Sequence, residues 1–258
     1  MPLILDMLSK NANAFHTFLE LTMIISFLRM CWFGFRYHYL LETLIILYTE
    51  MLVYRYYDVI DKMGSDLSVV NAARVSFSKF KNSFDKSDER LVQYLAEHNH
   101  WSPFAHASVS FRIKAPVFVA RQLVKHQVGL CWNEVSRRYV DEAPTFYIPF
   151  LWRKRAENVK QGSSKEEIEY DITHAMNVAR ETYNNMLEEG IAPEMARMVL
   201  PQCMMTEWIW SGTLYAFARV CNLRNKDNAQ VETRMITEEI AKTLKDYFPI
   251  CAESLLDE

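Results

Sequence analysis

Three histidines fall within nine residues, His98-Asn99-His100-Trp101-Ser102-Pro103-Phe104-Ala105-His106. An imidazole can ligate a metal or hydrogen-bond the polar edge of a cofactor. The Pro-bearing turn repeats no single helical face, and no nearby carboxylate or thiolate completes a ligand set, so no metal site is expected. A cofactor contact and a turn-stabilising role both stay open. A second cluster, Arg121-Gln122-Leu123-Val124-Lys125-His126-Gln127, is followed after eight residues by Ser136-Arg137-Arg138-Tyr139. If the helix continues, Arg121 and Lys125 share a face that can hold a phosphate or an electron-rich ring, although a solvated basic face has the same pattern. Asn133, Glu134 and Ser136 add donors and acceptors able to read a base or ribose. The third cluster is Arg197 with Asn222-Leu223-Arg224, Asn228 and Arg234. Arg224 and Asn228 fall in a polar break between two apolar helices, where backbone N–H groups suit an anion, while surface ion pairs would also account for the arginines.

No Gly-rich phosphate loop, Gly-x-Ser-x-Gly elbow or His-Glu-x-x-His is present, which argues against three large enzyme classes and against a Rossmann-held cofactor. The chain has 258 residues, 50% of them hydrophobic and 24% charged, enough for a substantial core. A formal charge of −3 argues against a nucleic-acid coat but leaves room for a local basic pocket. The five cysteines include no Cys-x-x-Cys pair, which fits a reducing, cytoplasmic setting.

Residues 1–50 differ from the rest. The stretch from Leu21 to Phe35 is apolar, but Glu20, Arg29, Arg36, Glu42 and Glu50 interrupt any membrane span, and no signal-peptide cleavage site follows. No membrane association is expected, and residues 1–50 read as an accessory or mis-annotated segment, with the working protein, residues 51–258, starting at Met51.

The elements that must carry the clusters can be placed from pattern. A strand is expected over Val53 to Ile60, followed by a helix capped by Asp66 and another capped by Ser87 and running to about His98. Next comes a strand from Ala107 to Ile113, with Pro116 opening a helix that carries Arg121, Gln122 and Lys125. Glu134 to Tyr139 leads into a loop. Ser164 and Glu167 have capping-box spacing, predicting a helix over Ile168, Ile172, Ala175, Ala179, Tyr183 and Met186 that Gly190 ends. Pro193 opens a short helix through Arg197, Pro201 precedes an apolar helix reaching about Cys221, and a last amphipathic helix runs from Ala229 to Tyr247. The expected fold is a single α+β domain with a small mixed or antiparallel sheet and a largely helical second half.

Read in order, five motifs resemble the flavin-dependent thymidylate synthase family over about three-quarters of the chain. They are Met63 through Ser76, the His100-x-Ser-Pro-Phe-x-His106 turn, Arg121-Gln122 through Arg138-Tyr139, Arg197-Met-Val-Leu-Pro201, and Asn222-Leu-Arg224 through Ala229-Gln230-x-Glu232-x-Arg234. The resemblance implies reductive methylation of dUMP to dTMP, with methylenetetrahydrofolate as carbon donor and FAD reduced by NADPH. It implies that Arg121, Gln122, Glu134, Ser136, Arg137, Arg138 and Arg197 hold dUMP, and that Arg234 is catalytic, stabilising charge that develops on the uracil ring. It implies that Ser76, His100, Ser102, Lys125, His126, Gln127, Asn222, Arg224 and Asn228 line FAD, in a homotetramer with shared active sites. A catalytically silent flavin- or nucleotide-binding protein of the same fold is the alternative. The family's Arg-His-Arg, seven residues and Ser are here Lys125-His126-Gln127, eight residues and Ser136, and a Glu common in the histidine turn is Ala105. Lys125 keeps a charge without the planar fork and Gln127 keeps donors without the charge, so weaker flavin retention is expected. The family needs no cysteine nucleophile, and a small buried packing role is expected for Cys131.

Overall fold

The computed structural model describes residues 56–257 other than 141 and 159. The readings made for residues 1–50 lie outside the described residues. Residues 54–258 form one compact unit. Its strands are β1 (Tyr56–Met63), β2 (Ser108–Pro116), β3 (Leu130–Glu134), β4 (Trp152–Arg155), β5 (Ser163–Ile168) and β6 (Met205–Thr213). Its helices are α1 (Asp66–Arg74), α2 (Lys86–Glu97), α3 (Val117–Leu123), α4 (Thr173–Glu188), α5 (Pro193–Ala196), α6 (Leu214–Arg224), α7 (Val231–Tyr247) and α8 (Pro249–Leu255).

An antiparallel sheet in the order β1-β2-β6-β3 forms the frame, and β4 and β5 make a separate hairpin. Alternation along β2 sends Val109, Phe111 and Ile113 to one face, while Ser110 and Arg112 take the other. On β6, Trp208 and Trp210 join the buried face. The other face pairs Ser110 with Ser211 at 2.7 Å and Arg112 with Glu207 at 2.7 Å. Helices α6, α7 and α8 cover the buried face with Phe217, Ile236, Ile240, Leu244 and Cys251, and Phe217 meets Phe111 and Trp210 edge-on at 4.9 and 5.1 Å. Asp66 is not an N-cap: Ser65 caps α1, and the Asp66 carboxylate instead accepts from the N–H groups of Ile250 and Cys251, which open α8. Likewise Asp85, not Ser87, caps α2.

Two larger expectations are corrected. The apolar helix expected from about Met204 is first a central strand, because Trp208 and Trp210 alternate with Glu207 and Ile209 at period 2, and only after Thr213 does the chain turn helical. Thr213 caps α6 by accepting from the Ala216 N–H. Gly212 is required there: a Cβ would lie 2.3 Å from Leu130 Cδ2, so only glycine lets β3 approach. The helix expected from Ser164 is strand β5, which Lys154 of β4 ties through Glu166 at 2.9 Å; α4 begins at Thr173, whose N–H the Asp171 carboxylate accepts. Capping-box spacing is met here by residues whose pairing partner lies across a hairpin.

Candidate functional site

Glu134, Ser136, Arg137 and Arg197 converge around one cavity of about 400 Å³, with Val117, Gln202 and Thr206 also lining it. Glu134 ends β3, and the Val135 N–H pairs with the Glu207 carbonyl, so the sheet aims the turn that follows. The Glu134 carboxylate is fixed on both oxygens, Oε1 accepting from Thr206 Oγ1 at 2.8 Å and Oε2 from Trp132 Nε1 at 3.1 Å. Ser136 Oγ accepts from the Arg138 N–H at 3.3 Å, and the Arg138 guanidinium lies over the Tyr139 ring at 5.0 Å. Arg137 is held by the Glu142 carbonyl. Arg197 opens a short 3₁₀ turn after α5 and donates from Nε to the Glu194 carbonyl at 3.3 Å, and its side chain is exposed. Sequence reasoning missed Thr206 and Gln202 here, since only the strand pairing of β6 brings them beside β3.

A second polar cluster lies at the other end of α3. A seven-residue helix spans roughly 10 Å, and it separates Val117 at the cavity from Gln122. Gln122 Nε2 donates to Gln230 Oε1 at 2.5 Å, and Arg224 donates from Nη2 to the Gln122 carbonyl at 3.2 Å and from Nε to His126 Nε2 at 3.0 Å. Because guanidinium only donates, His126 Nε2 must be the lone-pair nitrogen and Nδ1 carries the proton in the neutral ring. Burial, with Arg224 and Arg219 nearby, pushes the His126 pKa below its ordinary value. Arg121 is exposed on α3, and Arg234, in the first turn of α7, meets Asp227 and Glu238 at 3.5 Å each. Arg121, Gln122 and Arg234 therefore do not line the cavity of Glu134 and Arg197. Lys125 does not share a helix face with Arg121: α3 stops at Leu123, and the chain turns through Gly129, φ 77°, where a Cβ would lie 3.1 Å from Ala216 Cβ.

The remaining candidates are spread over three places. Ser76 sits in the 3₁₀ turn after α1, while His100 precedes and Ser102 opens the 3₁₀ turn Ser102–His106, which packs against α1 and α6. The loop beyond Ser76 is anchored by Asp88, fully buried, which binds Arg74 at 2.6 Å and Lys81 at 2.5 Å. Burial alone would raise the Asp88 carboxyl, but Lys81, the Asp85 N–H and Arg74 outweigh it and hold it below the ordinary range. His98 is spent on structure, its ring stacked on Tyr94 at 4.1 Å with Nδ1 against the Tyr94 carbonyl. Asn222 uses its amide on Leu255 and Asp257 at the end of the chain. Cys131 is exposed on β3, not packed in the core as expected, because β3 is the edge strand and Trp132 takes the inward position. Among the described residues no group of His, Cys, Asp or Glu could hold a metal ion, and no helix is long and apolar enough to cross a membrane.

An antiparallel sheet backed by helices defines an α+β protein, with a cavity at the end of its edge strand lined by Glu134, Arg137 and Arg197. Residues 58–250 match the family model described as thymidylate synthase complementing protein. The chain is 38% identical to the flavin-dependent thymidylate synthase of Thermotoga neapolitana over 199 residues, 77% of this chain and 89% of that one. It is 37% identical to that of Thermus thermophilus over 195 residues, 74% and 72% of the two chains. In structure it is similar to a UMP/dUMP methylase, PolB, from Streptomyces cacaoi bound with 5-Br dUMP, with TM-score 0.69 and 30% identity over 78% of this chain and 94% of the other. The chain belongs to the flavin-dependent thymidylate synthase family and is a methyltransferase.

Proposed function

We propose that the protein converts dUMP to dTMP, taking a methylene group from methylenetetrahydrofolate and reducing equivalents from NADPH through FAD. The reaction balances as dUMP, methylenetetrahydrofolate, NADPH and a proton giving dTMP, tetrahydrofolate and NADP⁺. A carbon–carbon bond forms at uracil C5, and the C5 proton leaves to solvent. The observation that carries this reading is the convergence of Glu134, Ser136, Arg137 and Arg197 on one cavity in a chain of this family. Arg197 and Arg137, with Arg138 beside them, supply charge-assisted donors for the phosphate. Ser136 and the fixed Glu134 carboxylate orient the sugar and base. Arg234 stabilises negative charge as it develops on the ring.

The flavin-side residues fit such a cofactor by their chemistry. Ser102, Lys125, Gln127 and Asn228 are exposed, and among the described residues their side chains make no hydrogen bond or ion pair. His126 offers its Nδ1–H, and Lys125 and Arg224 supply positive charge for a pyrophosphate. When bound, FAD supplies the hydride chemistry, and the residues hold and orient it. Large apolar side chains stand exposed near these positions, Val75, Phe77 and Phe80 beside Ser76, Trp101 beside His100, and Val128 beside Gln127. Such surface favours burial by other copies, which supports a homotetramer whose copies bring Arg234, Arg121 and Gln122 to the cavity of a neighbour. The four cysteines among the described residues are free, which supports a reducing, cytoplasmic setting. We place the activity in residues 51–258, in keeping with the family match over 58–250, and treat residues 1–50 as accessory.

Titration of the purified protein with FAD, followed by absorbance, is expected to give a saturable change in the flavin bands, with retention weaker than in a relative carrying Arg-His-Arg. One cation fewer at Gln127 accounts for the weakness. A protein that leaves the flavin spectrum unchanged at every concentration would overturn the cofactor assignment.

A further inference from the structure

Arg153, on β4, ties its own hairpin together and fastens it to a helix. Its Nε donates to Ser163 Oγ on β5 at 3.0 Å, and its Nη2 donates to Glu232 Oε1 at 2.6 Å. Glu232 lies in the first turn of α7, is 8% exposed, and accepts on the same oxygen from the Tyr147 hydroxyl at 3.3 Å. A planar guanidinium serves two acceptors in fixed directions, so one side chain sets where β5 begins relative to α7. Ser163 follows Gly162, whose backbone lies against that of Asn228. A Cβ built on Gly162 would stand 3.6 Å from both the Cα and the carbonyl oxygen of Asn228.

Asn228 belongs to the polar segment 225–230 between α6 and α7. The ends of that segment are fastened, Asn225 Oδ1 accepting from Thr237 Oγ1 at 2.5 Å and Gln230 Oε1 from Gln122 Nε2 at 2.5 Å. Its middle is a turn closed by the Ala229 N–H on the Lys226 carbonyl at 2.8 Å, with Lys226, Asp227 and Asn228 exposed and Asp227 no nearer to Arg234 than 3.5 Å. The hairpin therefore supports the segment where its own fastenings are weakest. Ordering a loop on binding costs affinity, so a segment already held in place takes its ligand more tightly.

We propose that Arg153 is a positioning residue of the flavin site: its bonds to Glu232 and Ser163 seat Gly162 on the backbone of Asn228 and so hold the Asn228 amide ready for FAD. The inference rests on the assignment of Asn228 to FAD. Arg153 touches neither flavin nor nucleotide in this scheme.

Titration of the full-length protein, freed of flavin, with FAD tests it. Asn228→Ala is expected to bind FAD about five- to tenfold more weakly, the worth of roughly one hydrogen bond. Arg153→Met, which keeps the stem and loses both bonds, should lose a similar factor. Arg153→Lys should recover part of it, because one cation still ties the hairpin to Glu232. The double variant Arg153→Met with Asn228→Ala should be no weaker than Asn228→Ala alone, since coupled residues are not additive. A merely structural role would weaken binding whether or not the Asn228 amide is present. Wild-type affinity in Arg153→Met, or losses that multiply in the double variant, would overturn the proposal. If Arg153→Met does not fold, Gly162→Ala takes its place in the cycle, since φ of 92° at this position disfavours any side chain and unseats the contact. A shared, non-multiplying loss then supports the proposal, and wild-type affinity or multiplying losses overturn it. Wild-type affinity in Asn228→Ala is a distinct result, which removes Asn228 from the flavin site and the proposal with it.

Discussion

Arg234→Ala is expected to lower the rate of dTMP formation by about 10² to 10³ while leaving the flavin spectrum unchanged. The fold has little invested in this side chain. Its partners Asp227 and Glu238 are exposed carboxylates 3.5 Å away, and exposed pairs of that kind contribute little to stability. Arg234 is fixed in direction by the first turn of α7, and its guanidinium remains available to a ring on which charge develops. The loss should therefore fall on turnover. Cys131→Ala is the matched control: the thiol is exposed on an edge strand, so its removal should leave both stability and rate near those of the wild type. An active Arg234→Ala together with a folded but inactive Cys131→Ala would reverse the mechanism and point to covalent catalysis.

Arg197→Ala should raise the KM for dUMP by about 10- to 10²-fold, the worth of one charge-assisted hydrogen bond, with a much smaller change in kcat. A phosphate is not altered during the reaction, so a residue that holds it binds ground and transition states alike. The 3₁₀ turn over Arg197–Val199 presents the guanidinium at the cavity wall, its Nε on the Glu194 carbonyl. Steady-state kinetics with dUMP varied would separate the two parameters. An unchanged KM with a collapsed kcat would remove Arg197 from phosphate binding.

The residues around the cavity are legible in the sequence because each lies in a short motif whose spacing survives there, as Glu134-x-Ser136-Arg137 and Arg197 do. Their neighbours are not. Thr206 reaches Glu134 only through the pairing of β3 with β6, and β6 itself is hidden because Met204 to Trp210 reads as one apolar run. Only Thr206 and Glu207 interrupt it, and Ile209 is apolar although it sits on the exposed face, so the period of 2 is masked. The helix expected from Ser164 fails for a related reason: a local capping signal is outweighed by pairing with β4 across a hairpin. Lys125 falls on the face of Arg121 only by a period that the chain abandons at Leu123, before it turns through Gly129 beside α6. Glu232 is visible as a motif residue, but its ion pair with Arg153 of β4 spans 79 positions, and no periodicity predicts it.

The central claim is tested most directly by tritium release from dUMP labelled at C5 of the uracil. With FAD, NADPH and methylenetetrahydrofolate all present, the account predicts that label passes into water in step with dTMP formation, and that leaving out any one of the three stops both. A folded protein that binds FAD and dUMP yet releases no tritium and forms no dTMP would contradict it.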